Sequence, residues 1–212
     1  MRRLVTEALG TLILVATVVG SGIMAQRMGG GNDAVALLGN TAATAGVLYV
    51  LISILGPISG AQFNPAVTLL LAARGDKIPF MIVQTIGALG GSVLAHAMFA
   101  VPLIQSGTHI RTGWPIWLGE FTATFGLMLT IVLGSKYKPQ AVPALVASWI
   151  VAGYWFTSST SFANPSVTLA RALTDSFSGI RMIDVPGFVV VQLLGAAAGY
   201  VTGRWLIRGT EA

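Results

Sequence analysis

The chain has 212 residues, 54% of them hydrophobic and 9% charged, with a net charge of +5 and no cysteine. Soluble domains carry about 25% charged residues, so this composition excludes an ordinary soluble fold and, with it, a basic surface for nucleic acid. The missing cysteines exclude disulfides and thiolate metal sites.

Apolar stretches with charges confined to short gaps read as membrane helices. The first, residues 4–25, follows a basic start, but Glu7 interrupts it and no cleavage site follows. It reads as a spanning helix rather than a removed leader. The second covers 34–55. The small, irregular string "GPISGAQF" then leads to Asn64-Pro65-Ala66 and a short apolar run, 64–73. Spanning runs follow at 79–103, 114–133 and 141–158. A second irregular string, "STSFA", leads to Asn164-Pro165-Ser166 and a second short run, 164–173. The last spanning run is 185–207. Six runs are near the ~20 residues that cross a bilayer; the short ones reach ~15 Å, half of it.

The chain reads as a duplication. Glu7-x-x-x-Thr11 matches Glu120-x-x-x-Thr124, and "QTIGALGG" from Gln84 matches "QLLGAAAG" from Gln192. Residues 64–72 and 164–172 agree at six of nine positions. Each half holds three spanning runs, so the second inserts upside down relative to the first. The chain is then one channel-like domain, 1–212, with inverted repeats at about 1–104 and 114–212. With the amino terminus cytoplasmic, Arg2, Arg3, Arg74, Lys77, Lys136, Lys138, Arg204 and Arg208 lie inside and Arg27, Arg111, Arg171 and Arg181 outside. That excess puts both termini in the cytoplasm.

Asn caps helix starts with its side chain, and Pro suits the first helical position. Each Asn-Pro is therefore expected to open a half-helix after a loop that dips to mid-membrane, where irregular backbone survives only against protein or a water-filled cavity. Inverted symmetry makes the half-helices meet head to head, their positive ends and the Asn64 and Asn164 amides facing one lumen. Glu7 and Glu120 are expected to accept hydrogen bonds from these loops, since no chain of acids and histidines suggests a proton relay. His96 reads as a packing or lipid-facing residue. Gln84, Gln192 and their glycines read as helix-packing sites, and Trp114, Trp117 and Trp205 as interfacial anchors. Trp149, Tyr154, Trp155 and Phe156 gather around the fifth spanning run and could narrow a pore there.

These features resemble the major intrinsic proteins, the aquaporins and aquaglyceroporins. The paired boxes match the family's Asn-Pro-Ala motifs, and "SGAQFNPAVT" is close to its first box, with Gln62 where a His is common. The resemblance implies six transmembrane helices plus two re-entrant half-helices, an inverted repeat and a homotetramer with one pore per subunit. It also implies passive flow of small neutral solutes. The sequence shows no nucleophile–base pairing, metal cluster or glycine-rich phosphate loop, so neither an enzyme nor a cofactor is expected. The family's filter arginine is replaced by Val167. Offset from the boxes puts the other filter places at Thr44, Ala152 and Ser161, a wide and weakly polar set. It suits glycerol, urea or undissociated metalloid hydroxides such as arsenous acid. A bacterial, arsenic-resistance-linked aquaglyceroporin branch is similar, which implies a bacterial inner membrane. Loss of the filter arginine also implies some ammonium or proton leak.

Arg171 lies four residues beyond Val167. It has two readings: a displaced cationic ring at the outer mouth, or a side chain snorkelling or neutralising carbonyls at the half-helix end. The competing class is a secondary transporter built from broken helices. That design uses a charged central site, and here no acid lies beside the two asparagines in the sequence.

Overall fold

The computed structural model describes residues 1–208. Its helices are α1 Arg2–Met28, α2 Asp33–Ser59, α3 Pro65–Leu71, α4 Lys77–Met98, α5 Trp114–Tyr137, α6 Val142–Phe156, α7 Pro165–Arg171 and α8 Val185–Arg208. Short 3₁₀ turns, Pro139–Ala141 and Met182–Asp184, lead into α6 and α8. Among the described residues there is no strand.

Five helices are long and apolar enough to cross a membrane. The run expected at 141–158 is shorter: α6 has 15 residues, because the backbone turns extended at Thr157. At about 22 Å of helix, it completes the crossing together with its leading turn. α3 and α7, seven residues each, are the half-helices. The architecture is all-α, six spanning helices and two half-helices in inverted order.

Helix ends follow local chemistry. The Asn32 side chain accepts from the Ala34 and Val35 N–H groups and starts α2, and Gly60, at φ +94°, ends it in the left-handed region. The two halves pack alike. α1 lies along α4 as α5 lies along α8, and each half-helix touches the last helix of both halves. The α1–α4 crossing is close because Gly87 and Gly91 face it: a Cβ on Gly87 would lie 2.3 Å from the Ala8 carbonyl oxygen. Gly195 and Gly199 do the same against the Phe121 and Phe125 carbonyls. Small residues four apart let membrane helices approach backbone to backbone.

Large apolar side chains such as Ile54, Ile86, Val190, Val201 and Trp205 are more than half exposed on the outer faces, as contact with lipid requires. Inside, Trp149 packs onto Gly126 and donates to the Ala123 carbonyl at 2.9 Å. His96 is fully buried, with Nδ1 2.8 Å from the Leu103 carbonyl oxygen. It is a packing residue, not a lipid-facing one.

Gly87→Val should add about 2–3 kcal/mol of overpacking strain and lower the thermal unfolding midpoint in detergent by roughly 5–10 °C. Gly90→Ala is the control, because its Cβ would rest 3.5 Å from Leu12 Cδ1, an ordinary contact, and the midpoint should stay unchanged.

Candidate pore

The loops before the half-helices are held by two fully buried carboxylates. Glu7 accepts from Ser59 Oγ (2.6 Å), Gln62 N (3.1 Å), Phe63 N (2.8 Å) and Gln84 Nε2 (2.8 Å). Glu120 accepts from Phe162 N, Ala163 N and Gln192 Nε2, with Ser159 beside it. Gln84 and Gln192 each also donate to the half-helix threonines, Thr68 and Thr168, at 2.8 Å. These bonds fix an unusual backbone. Ala61 and Phe63, and Ser161 and Ala163, all have φ between +46° and +49°, a conformation that costs about 1–3 kcal/mol per non-glycine residue and persists only where neighbours enforce it.

Asn64 and Asn164 cap α3 and α7. Asn64 Oδ1 accepts from Ala66 N at 2.9 Å; Asn164 Oδ1 accepts from Ser166 N and Val167 N at 3.0 and 3.3 Å. Each amide nitrogen crosses to the other half. Asn64 Nδ2 donates to the Ala163 carbonyl at 2.7 Å, and Asn164 Nδ2 to the Phe63 carbonyl at 2.8 Å. The half-helices thus meet end to end. One hydrogen of each amide is used in the crossing, and both asparagines line a cavity. Pro65, Ala66, Pro165 and Ser166 form the first turns behind them, and Ser166 Oγ lies 3.0 Å from Thr85 Oγ1.

The cavity holds about 830 Å³ of space between atoms, its mouths included. Aliphatic side chains of α1, α2, α5 and α6 wall it: Leu14, Val18, Leu48, Leu127, Val146 and Ile150 among them. Thr44, Ser161 and Val167 line it as well. Ala152 does not: it is exposed on the far face of α6, and Tyr154 faces the lumen in its place. Two residues along an α-helix turn about 200°, so the expected position and the observed one lie on nearly opposite faces. Of the aromatic cluster on α6, Trp155 and Phe156 point outwards, about half exposed. Tyr154 Oη sits 3.4 Å from Thr44 Oγ1. Ser161 fits because Gly153 is bare: a Cβ there would fall 2.6 Å from Ser161 Oγ.

Arg171 is not an exposed ring at the outer mouth. It is 1% exposed and absent from the cavity wall. Its Nε donates to the Ser178 carbonyl, and its guanidinium lies 3.3 Å from the centre of the Phe162 ring. Arg111, from the loop before α5, sits 5.0 Å from the same ring and donates to the Gly179 carbonyl at 2.8 Å. Burial pushes the Arg111 guanidinium below its ordinary range, and the Glu120 carboxylate offsets part of that push.

The geometry now has a counterpart among known proteins. The profile of the family described as "Major intrinsic protein" matches residues 1–151. The chain belongs to that family. It is 52% identical to aquaglyceroporin AqpS of Rhizobium meliloti over 98% of this chain and 91% of that one. It is 30% identical to the probable aquaporin AqpM of Archaeoglobus fulgidus, covering 97% and 95%. The X-ray structure of the aquaglyceroporin from Plasmodium falciparum matches the fold with a TM-score of 0.71 at 18% identity, covering 96% and 94%.

Three parts of this major intrinsic protein's site escaped the sequence reading. Ser59 and Ser159 supply hydroxyls to the loops, a role that their spacing of one hundred residues, the same as between the two asparagines, would have flagged. Thr68 and Thr168 tie the half-helices to the two glutamines. Phe162, between two guanidinium groups, carries no sequence signal, because Gln62 stands at its counterpart.

Glu7→Gln keeps the side chain's shape but replaces one acceptor oxygen by an NH₂ donor set against groups that themselves donate, such as Phe63 N and Gln84 Nε2. A loss of about 1–3 kcal/mol should lower the unfolding midpoint in detergent. Water permeability per reconstituted protein should fall about tenfold as the loop network loosens. Thr122→Ala, on the outer side of α5, should change neither.

Proposed function

We propose that the chain is a passive membrane channel for small neutral solutes. It carries water and glycerol-like molecules, and also undissociated metalloid hydroxides such as arsenous acid. The supporting observation is the uncharged constriction. Val167 stands where the resemblance expects an arginine, and Arg171 is turned behind Phe162 instead of into the lumen. The groups left there are the hydroxyls of Thr44 and Tyr154 against the Val167 wall, with the Ser161 oxygen buried beside Gly153. They can give and take hydrogen bonds with a polyhydroxylated solute without binding an ion. A narrower reading, water and glycerol alone, is favoured by the Tyr154 ring, which takes up room that Ala152 would have left open.

The helix N-termini that meet at Asn64 and Asn164 oppose cations at the centre of the pore. Among the described residues no acid lines the cavity, which argues against ion-coupled transport. In this reading the channel is a homotetramer of the bacterial inner membrane, with Asn64 and Asn164 as the central box. Six crossings put both termini on one side, and the lysine and arginine excess makes that side cytoplasmic. The name of the Rhizobium meliloti relative supports an aquaglyceroporin function.

Stopped-flow light scattering on proteoliposomes tests this directly. Water, glycerol and arsenous acid should each equilibrate faster than in protein-free vesicles. Fast water with glycerol and arsenous acid at background would leave only a water channel.

A further inference from the structure

Glu7 holds more than loop backbone: it starts a chain of hydrogen bonds that runs in one direction. Its two oxygens receive four donors, among them Gln84 Nε2 at 2.8 Å. The second hydrogen of that nitrogen goes to Thr68 Oγ1, also at 2.8 Å. Thr68, having accepted, gives its own hydrogen to Gln62 Oε1 at 2.8 Å. An amide whose oxygen is taken in this way turns its nitrogen, which only donates, to the other side. Resting on the channel reading above, we infer that Gln62 is a specificity-determining residue of the pore. Its side-chain amide is a fixed donor for the oxygen atoms of neutral hydroxylated solutes, on the Gly60 side of the asparagines.

Three observations place that donor at the lumen. Gln62 lines the cavity together with Gly60 and Asn64. Among the described residues no protein group accepts from Gln62 Nε2, and the atom is not sealed inside the protein. A Cβ on Gly60 would stand 3.9 Å from it, and Gly60 belongs both to the pore wall and to a second hollow bounded by Pro57, Pro139 and Gln140. The other half of the chain lacks this donor. There Gln192 gives to Glu120 and Thr168 in the same way, but Phe162 stands where Gln62 does, and Thr168 returns its hydrogen to the Asn164 carbonyl. The chain of bonds thus ends on a lumen amide in one half and on backbone in the other. A solute that fills the passage sheds its hydration and must recover hydrogen bonds from the wall, whereas water in a file keeps bonds to its neighbours. Gln62 supplies such a bond two residues before Asn64.

The first measurement takes glycerol and water permeability in the same proteoliposomes, so their ratio is independent of how many channels are folded. Gln62→Met keeps the length of the side chain and leaves the backbone N–H of residue 62 on Glu7. It should lower the glycerol-to-water ratio about three- to tenfold, the range for losing one neutral hydrogen bond. Thr68→Val, which removes the hydroxyl that orients Gln62, should lower the ratio too, and the double variant should match Gln62→Met alone. A parental ratio in Gln62→Met would overturn the inference even if Thr68→Val fails to fold, and so would additive effects in the double variant. A parent that passes water but no glycerol would instead overturn the solute reading, and a second measurement then decides whether Gln62 faces the lumen. In water-edited solid-state NMR of protein labelled with ¹⁵N in glutamine side chains, the Gln62 signal is assigned by its loss in Gln62→Met. It should receive magnetisation from water early, while that of Gln84, spent on Glu7 and Thr68, should not. A Gln62 amide as dry as Gln84 would overturn the inference whatever the solute.

Discussion

Backbone that leaves the helix inside a membrane has no water to satisfy its N–H groups, and the whole pore depends on how this chain answers that constraint. Two carboxylates supply the acceptors. Glu7 and Glu120 take the amides of residues 62–63 and 162–163. In doing so they lock alternating left-handed residues that a free loop would not hold. Only with those loops fixed can the carbonyls of Phe63 and Ala163 receive the asparagine amides from the opposite half. The buried glutamates are therefore structural acceptors of a polar network with one arrangement, and the lumen is what that network encloses.

The two halves share a frame but differ in the residues beside the asparagines. Gln62 and Phe63 on one side stand against Phe162 and Ala163 on the other, and Leu71 against Arg171. Phe63 fills the space that Gly10 leaves open, whereas Ala163 leaves its own position small. Phe162 carries two guanidinium groups; Gln62 instead accepts from Thr68 at 2.8 Å. The duplicated scaffold thus builds a symmetric centre at the asparagines and an asymmetric stretch of cavity wall at Thr44, Tyr154, Ser161 and Val167. Arg171, stacked on Phe162, is kept off that wall, as the proposed passage of neutral molecules requires.

Much of this was legible in the chain. Residue spacing gave the spans, the half-helices and the inverted halves. The repeated Asn-Pro and the paired glutamates pointed to a capped meeting point and to loop support. What failed did so for geometric reasons. Counting offsets to Ala152 presumes the helical phase of α6, and a shift of two residues moves a side chain to the opposite face. The position of Arg171 in sequence set its depth but not its rotamer, and stacking on Phe162 decided the latter. The left-handed loops were invisible because Ala, Phe and Ser carry no signal for positive φ. Their cause lies in Glu7 and Glu120, far away in sequence.

The meeting of the two halves is open to direct measurement in lipid. Solid-state NMR on protein labelled with ¹⁵N in asparagine side chains and ¹³C in phenylalanine carbonyls reads the separation of Asn164 Nδ2 from the Phe63 carbonyl carbon. The bond described here places that pair at about 4 Å; the Asn164 signal is assigned by its loss in Asn164→Asp, which separates it from the contact Asn64 makes with the carbonyl of its own preceding residue. No Phe63 carbonyl carbon within about 6 Å of the Asn164 side-chain nitrogen, well beyond hydrogen-bond reach, would mean the half-helices do not meet as described.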